Sequence, residues 1–153
     1  MRPGVALYGV NPTPHQANPM RPVVRLTAPI LQLRELGAPA AVGYGGAHRS
    51  GAGRRLATVA VGYVDGYLRA LSGRGHASID GVRVPVVGRV SMDLITLDVT
   101  EVLEARVQPG QGVELIGDAC DLDTLAAEAG TIGYEILTSL GGRYLRHHVA
   151  PAA

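Results

Sequence analysis

The chain has 153 residues, 46% of them hydrophobic and 18% charged, with a formal net charge of +1. That length suits one core and is too short for two full-sized domains. The charge excludes a field strong enough to gather nucleic acid or anionic lipid, and no apolar run approaches the roughly 20 residues a membrane span needs.

In chain order, residues 5–9 read as one short buried strand. Residues 11–22, with four prolines and no apolar periodicity, read as a connector. A lone strand followed by a connector suggests the tail of a domain whose body is missing. From residue 23 on, short Val-, Ile- and Leu-rich stretches alternate with glycine-bearing turns. Strands are expected at 23–30, 56–62, 76–79, 82–87, 94–99 and 112–116. Pro29 and Pro85 interrupt two of these, which places them on edges or at bulges. Asp80-Gly81 is a two-residue hairpin turn, because both central positions of a type I′ turn need positive φ, and Pro109-Gly110 marks another turn.

The pattern then changes. Asp121 or Asp123 can cap a helix whose apolar face is Leu122, Leu125, Ala126 and Ala129 and which Gly130 would end. A second helix is expected over 132–140, stopped by Gly141-Gly142. The expected fold is mainly β, an antiparallel barrel-like domain with one or two short helices near the C-terminus.

All fourteen Lys or Arg residues are arginine. Any chemistry that needs a lysine amine must therefore find it on other protein. The single cysteine, Cys120, excludes an intrachain disulfide, and MRPGVALYG lacks the regions of a secretory signal, so a reducing, cytoplasmic setting is expected. His15, His76, His147 and His148 have no metal-ligand spacing and are expected at the surface or in turns; no metal is expected.

Three segments carry candidate chemistry. In VGYGGAHR (42–49), Tyr44 sits among three glycines, which fits either a packed β-bulge or a turn that projects the phenol. A phenol held that way can act as acid or base if cations lower its pKa from about 10. VGYVDGYLR (61–69) and VGRVSMD (87–93) are the others.

With RPGVALYG at the start and TIGYE near the end, these five pieces occur in the order found in the alanine racemase family. The chain resembles the C-terminal β domain of that family together with the last strand of its pyridoxal 5′-phosphate (PLP) barrel. The resemblance divides the chain into 1–22, the barrel's last strand plus linker, and 23–150, the β domain. It implies that Tyr44 is the catalytic tyrosine on the face serving L-alanine, opposite a PLP lysine serving D-alanine. It implies that Arg2 donates to the pyridine nitrogen of PLP, that the amides of Gly4 and Val5 face its phosphate, and that the Tyr134 hydroxyl reaches the same phosphate. Met92 matches a position that meets the substrate carboxylate, with Asp93 beside it, and Tyr63 and Arg69 match residues at the narrow mouth of the site.

On this basis the chain is expected to be the C-terminal part of a PLP-dependent racemase interconverting L- and D-alanine, which supplies D-alanine for peptidoglycan. Its active site would be completed by a racemase barrel domain or a homodimer partner, since these residues hold only part of the cofactor site and no lysine; alone it is expected to be inactive. The alternative is a non-catalytic β module acting in binding or assembly. Val64, Ser91, Gly133, Ala47 and His48 depart from the family's usual residues, and none of them removes a catalytic group.

Overall fold

The computed structural model describes residues 4–13 and 15–149; Arg2 lies outside the described residues. Eight strands follow one another as β1 (Leu26–Glu35), β2 (Ala40–Val42), β3 (His48–Ser50), β4 (Arg55–Val59), β5 (His76–Ile79), β6 (Val82–Pro85), β7 (Ile95–Asp98) and β8 (Gly112–Ile116). Two helices close the chain, α1 (Leu122–Ala129) and α2 (Gly133–Ser139). Six strands form one sheet in the order β6-β5-β8-β1-β4-β7, and β2 and β3 form a separate hairpin.

Strand β1 changes partner along its length. Leu26 to Pro29 pair with β8 and Ile30 to Glu35 with β4, both antiparallel, with a register shift between Ile30 and Gln32. Pro29 therefore lies in a central strand, beside a bulge, and not on an edge. Its carbonyl accepts from the Ala60 N–H at 3.1 Å, just past the end of β4. The missing N–H points the same way, so no ladder bond is lost there. Pro85 ends the outer strand β6, as expected. Immediately beyond it Val86 bridges Leu97, and the Val87 N–H donates to Thr96 O at 2.9 Å. The two outer strands thus meet and the sheet nearly closes into a barrel.

Inside the barrel Ile30, Leu97 and Leu115 are fully buried. Each such side chain contributes about 1.5–3 kcal/mol relative to exposure. The β5–β6 hairpin turns through Asp80 (φ 49°) and Gly81 (φ 80°), the backbone an Asp-Gly pair is suited to. Asp121 caps α1 by accepting from the Thr124 N–H, and Gly130 ends it at φ 70°. Leu122, Leu125 and Ala126 face the core.

Two expectations need correction. Residues Gly4–Tyr8 form a 3₁₀ turn and not a strand. A strand needs a neighbour for its N–H and C=O groups, and this segment instead bonds locally, Gly9 N–H to Ala6 O. His76 is buried within β5, not at the surface or in a turn; its Nδ1 lies 2.7 Å from Glu128 Oε2, and Arg83 reaches the other oxygen of the same carboxylate.

Candidate functional site

Tyr44 opens a 3₁₀ turn, Tyr44–Gly46, between β2 and β3. Gly43, Gly45 and Gly46 all have positive φ, which is what a chain needs to turn this tightly while standing the tyrosine outward. The ring is 73% exposed. The turn rests on a second segment. A side chain on Gly43 would press on the Arg89 backbone nitrogen, one on Gly88 would press on Val42 O, and the Arg89 guanidinium lies against Gly45, the residue after Tyr44.

Residues 88–93 are the ridge that gathers the other candidates. Ser91 O accepts from the Tyr63 N–H at 3.0 Å and Met92 O from the Val64 N–H at 3.1 Å. The Ser72 hydroxyl accepts from the Val90 N–H at 3.0 Å, which ties the short helical turn Arg69–Leu71 to the same ridge. Tyr44, Tyr63, Met92 and Asp93 are exposed around it, as is Arg69. Below them, buried Asp65 accepts from the Gly62 N–H at 2.9 Å and faces Arg143 Nε at 3.3 Å, while Arg143 donates to Asp93 at 2.7 Å. Arg143 so joins the chain's end to both candidate segments.

A second group assembles on α2. The Val5 N–H donates to the Tyr134 hydroxyl at 2.9 Å, across 129 residues of chain. A side chain on Gly4, at φ 52°, would collide with that hydroxyl. Because the oxygen accepts from Val5, its own proton is free to be donated outward, and the Tyr134 ring is half exposed. Val10 packs on Gly133 so closely that any side chain there would overlap it. An open groove beside this group is lined by Val5, Val10, Asn11, Ala126, Ile132 and Tyr134. Gly4, Val5 and Tyr134 are thus brought together at one place and Tyr44, Tyr63, Met92 and Asp93 at another, and no hydrogen bond among the described residues joins the two sets.

Sequence reasoning missed Arg89, Asp65, Arg143 and Asp123. Arg89 and Asp65 lie inside segments already singled out, and their glycine neighbours were the available signal. Arg143 acts over a long sequence separation and left none, and Asp123 is legible only as a helix-cap candidate. Among the described residues no cluster of three or more His, Cys, Asp or Glu could hold a metal. Two weak acids outside the two groups, Cys120 and Tyr67, are buried. Burial, then the nearby Glu114 carboxylate, pushes the Cys120 thiol up to about 12. Burial, then Glu128, raises the Tyr67 hydroxyl well above its ordinary value.

The sequence profile of "Alanine racemase, C-terminal domain" matches residues 23–148. The chain is similar to the alanine racemase of Methylobacterium nodulans, 56% identical over 149 residues that cover 97% of this chain and 40% of that protein. It also superposes on the crystal structure of alanine racemase from Bartonella henselae with covalently bound pyridoxal phosphate, with TM-score 0.88 and 41% identity over 95% of this chain and 40% of that one. The biosynthetic alanine racemase of Pseudomonas aeruginosa gives TM-score 0.89 at 33% identity, over 96% and 41%. The chain spans about 40% of the length of the relatives it matches.

Proposed function

Because the chain belongs to the alanine racemase family through its C-terminal domain, we propose that it supplies the tyrosine side of a two-sided proton exchange at the α-carbon of alanine. The carrying observation is the Tyr44 phenol, standing outward on a glycine-framed turn with the Arg89 guanidinium against the same turn. Inversion at one carbon needs a proton taken from one face and returned to the other. A single phenol serves one face. The second base and the covalent anchor for PLP would be a lysine, and these 153 residues contain none.

The cofactor's phosphate edge fits the residues present. The Tyr134 hydroxyl is held by the Val5 N–H with its proton free, and Gly4 leaves room for that hydroxyl; neutral donors packed this closely suit a phosphate dianion. Arg2, by its family match, would donate to the pyridine nitrogen. Bound PLP would supply the electron-withdrawing ring that makes the α-proton removable. Tyr44 would hold or accept that proton at its phenol oxygen. The backbone of Met92 would meet the substrate carboxylate, with Asp93 fixed beside it by Arg143. Tyr63 and Arg69 would narrow the approach.

By its family match, the arrangement would be completed across two polypeptides. One protomer's β domain would offer Tyr44 to a cofactor held by another, in a homodimer or with a racemase barrel domain. The product would be D-alanine for peptidoglycan, and the setting cytoplasmic, where the buried thiol of Cys120 stays reduced. The missing lysine favours a second reading, a non-catalytic module. One experiment separates them: the chain is mixed with a PLP-loaded racemase barrel domain and conversion of L-alanine to D-alanine is followed. Racemisation that disappears with Tyr44→Phe supports the enzyme reading, and none with the wild-type chain leaves the module.

A further inference from the structure

Helix α1 touches neither Tyr44 nor the 88–93 ridge in the hydrogen-bond pattern described above, yet its second residue makes the contact that fixes the leading segment. Oδ2 of Asp123 accepts from the Asn11 N–H at 3.0 Å and from the Asn18 side-chain amide at 3.2 Å. That amide also donates to Gly9 O at 3.0 Å. One carboxylate oxygen thus pins the chain at Asn11 directly and at Gly9 through Asn18.

The connector between those points is organised around its own polar groups. Asn11 Nδ2 donates to Gln16 O at 2.8 Å, and Asn11 Oδ1 accepts from the Thr13 N–H at 2.9 Å. The Met20 N–H donates to Asn18 Oδ1 at 2.9 Å. These bonds shape the loop without attaching it to anything. Attachment to the rest of the molecule by a side-chain acceptor falls to Asp123. Its place in the first turn of α1 suits a negative charge, since the N–H groups there have no helical partner.

Val5 lies six residues before Asn11, in the 3₁₀ turn Gly4–Tyr8, and its N–H must reach Tyr134 on α2. Helices α1 and α2 pack on each other, so an anchor on α1 sets the leading segment relative to α2. We propose that Asp123 is a positioning residue for the cofactor-phosphate group: it ties Gly9, Asn11 and Asn18 to α1 so that the Val5 amide meets the Tyr134 hydroxyl. The proposal rests on the reading of the Tyr134 hydroxyl, held by the Val5 N–H, as a phosphate donor, which the structure of the anchor does not itself require.

Amide hydrogen exchange of the ¹⁵N-labelled 153-residue chain tests it. Asp123→Ala should speed exchange at Val5 and Asn11 by about tenfold or more, while Ala57 and Val59 in β4 keep wild-type protection. Asp123→Asn keeps an acceptor oxygen at the same place and should restore most of that protection. Unchanged exchange at Val5 in Asp123→Ala overturns the proposal. Equal acceleration at Ala57 and Val59 also overturns it, because the effect would then be general loss of stability. Failure of the wild-type chain to racemise alanine with a PLP-loaded barrel domain would remove the cofactor reading and leave these exchange rates where they are.

Discussion

The carbonyl group of Met92 occupies the space that a side chain on Gly62 would need, and Ser91 O crowds the same point. Gly62 has an ordinary extended backbone, φ −153°, so its lack of a side chain is a matter of room and not of conformation. Gly62→Ala should destabilise the chain by about 1–3 kcal/mol through forced separation of the two segments. Gly37→Ala meets nothing within 4 Å and should stay within about 0.5 kcal/mol of wild type. Urea unfolding midpoints of the two variants give the comparison, and equal midpoints would show that the 62–65 turn can part from the ridge freely.

Tyr44→Phe removes a hydroxyl that makes no hydrogen bond among the described residues, from a residue that is 73% exposed. Its unfolding curve should superimpose on that of wild type. With a PLP-loaded barrel domain, loss of the phenol should slow α-proton exchange from L-alanine into deuterated water by roughly 10²–10⁴-fold, the usual scale for one acid–base group. Exchange from D-alanine should fall much less. Equal loss from both enantiomers would argue against a one-face role.

Glu128 holds two partners, His76 and Arg83, with different consequences. His76 is buried, so Glu128→Ala leaves its Nδ1 without its carboxylate partner and should cost about 1–3 kcal/mol. Arg83 is largely exposed, with 61% of its side chain accessible, and Arg83→Ala should cost under about 1 kcal/mol. Thermal melts of both variants at neutral pH decide this, and a larger loss from Arg83→Ala would reverse the assignment.

Alkaline stability follows from two buried acids. Burial, then Glu114, moves the Cys120 thiol from 9.0 up to about 12, and burial, then Asp65, moves the Tyr144 hydroxyl from 10.0 up to about 12. The folded chain holds both protons more tightly than the unfolded chain does. Their contribution is complete below about pH 9 and is lost as pH rises toward about 12. The Tyr144 hydroxyl is also buried, with no hydrogen-bond partner among the described residues. Tyr144→Phe should therefore raise stability by about 1 kcal/mol at pH 8 and flatten the fall above about pH 10. Melting temperatures at about pH 8, 9.5 and 11 measure both effects; a variant no steeper or flatter than wild type across that range would count against the burial argument.

Much of the fold could be read from residue patterns because the strands β5 and β8 are short segments bounded by glycine-bearing turns, and α1 has its cap, face and stop in view. The β2–β3 hairpin could not, since Ala40–Val42 and His48–Ser50 are three residues each and carry no periodicity. His76 was placed wrongly because all four residues of β5 are buried, so alternation gives no sign of which polar group lies inside. The 3₁₀ turn at Gly4–Tyr8 was misread because an apolar run says nothing about whether a neighbouring strand exists. Within the site, the flanking glycines marked Tyr44, whereas Tyr63 and Met92 were legible only through the resemblance to the alanine racemase family. The Arg143 side chain that joins Asp65 and Asp93 from a distance had no local signature.

The divided pairing of β1 also has a temporal side. Leu26 sits opposite Ile116, about ninety residues later, whereas Glu35 sits opposite Arg55. On a ribosome, the second half of β1 can find its neighbour early, but the first half must wait until β8 has been translated and has left the exit tunnel. Residues 26–29, with Leu26 and Ala28 destined for the core, would spend that interval uncovered. Chaperone binding during biosynthesis should therefore concentrate at the start of this strand.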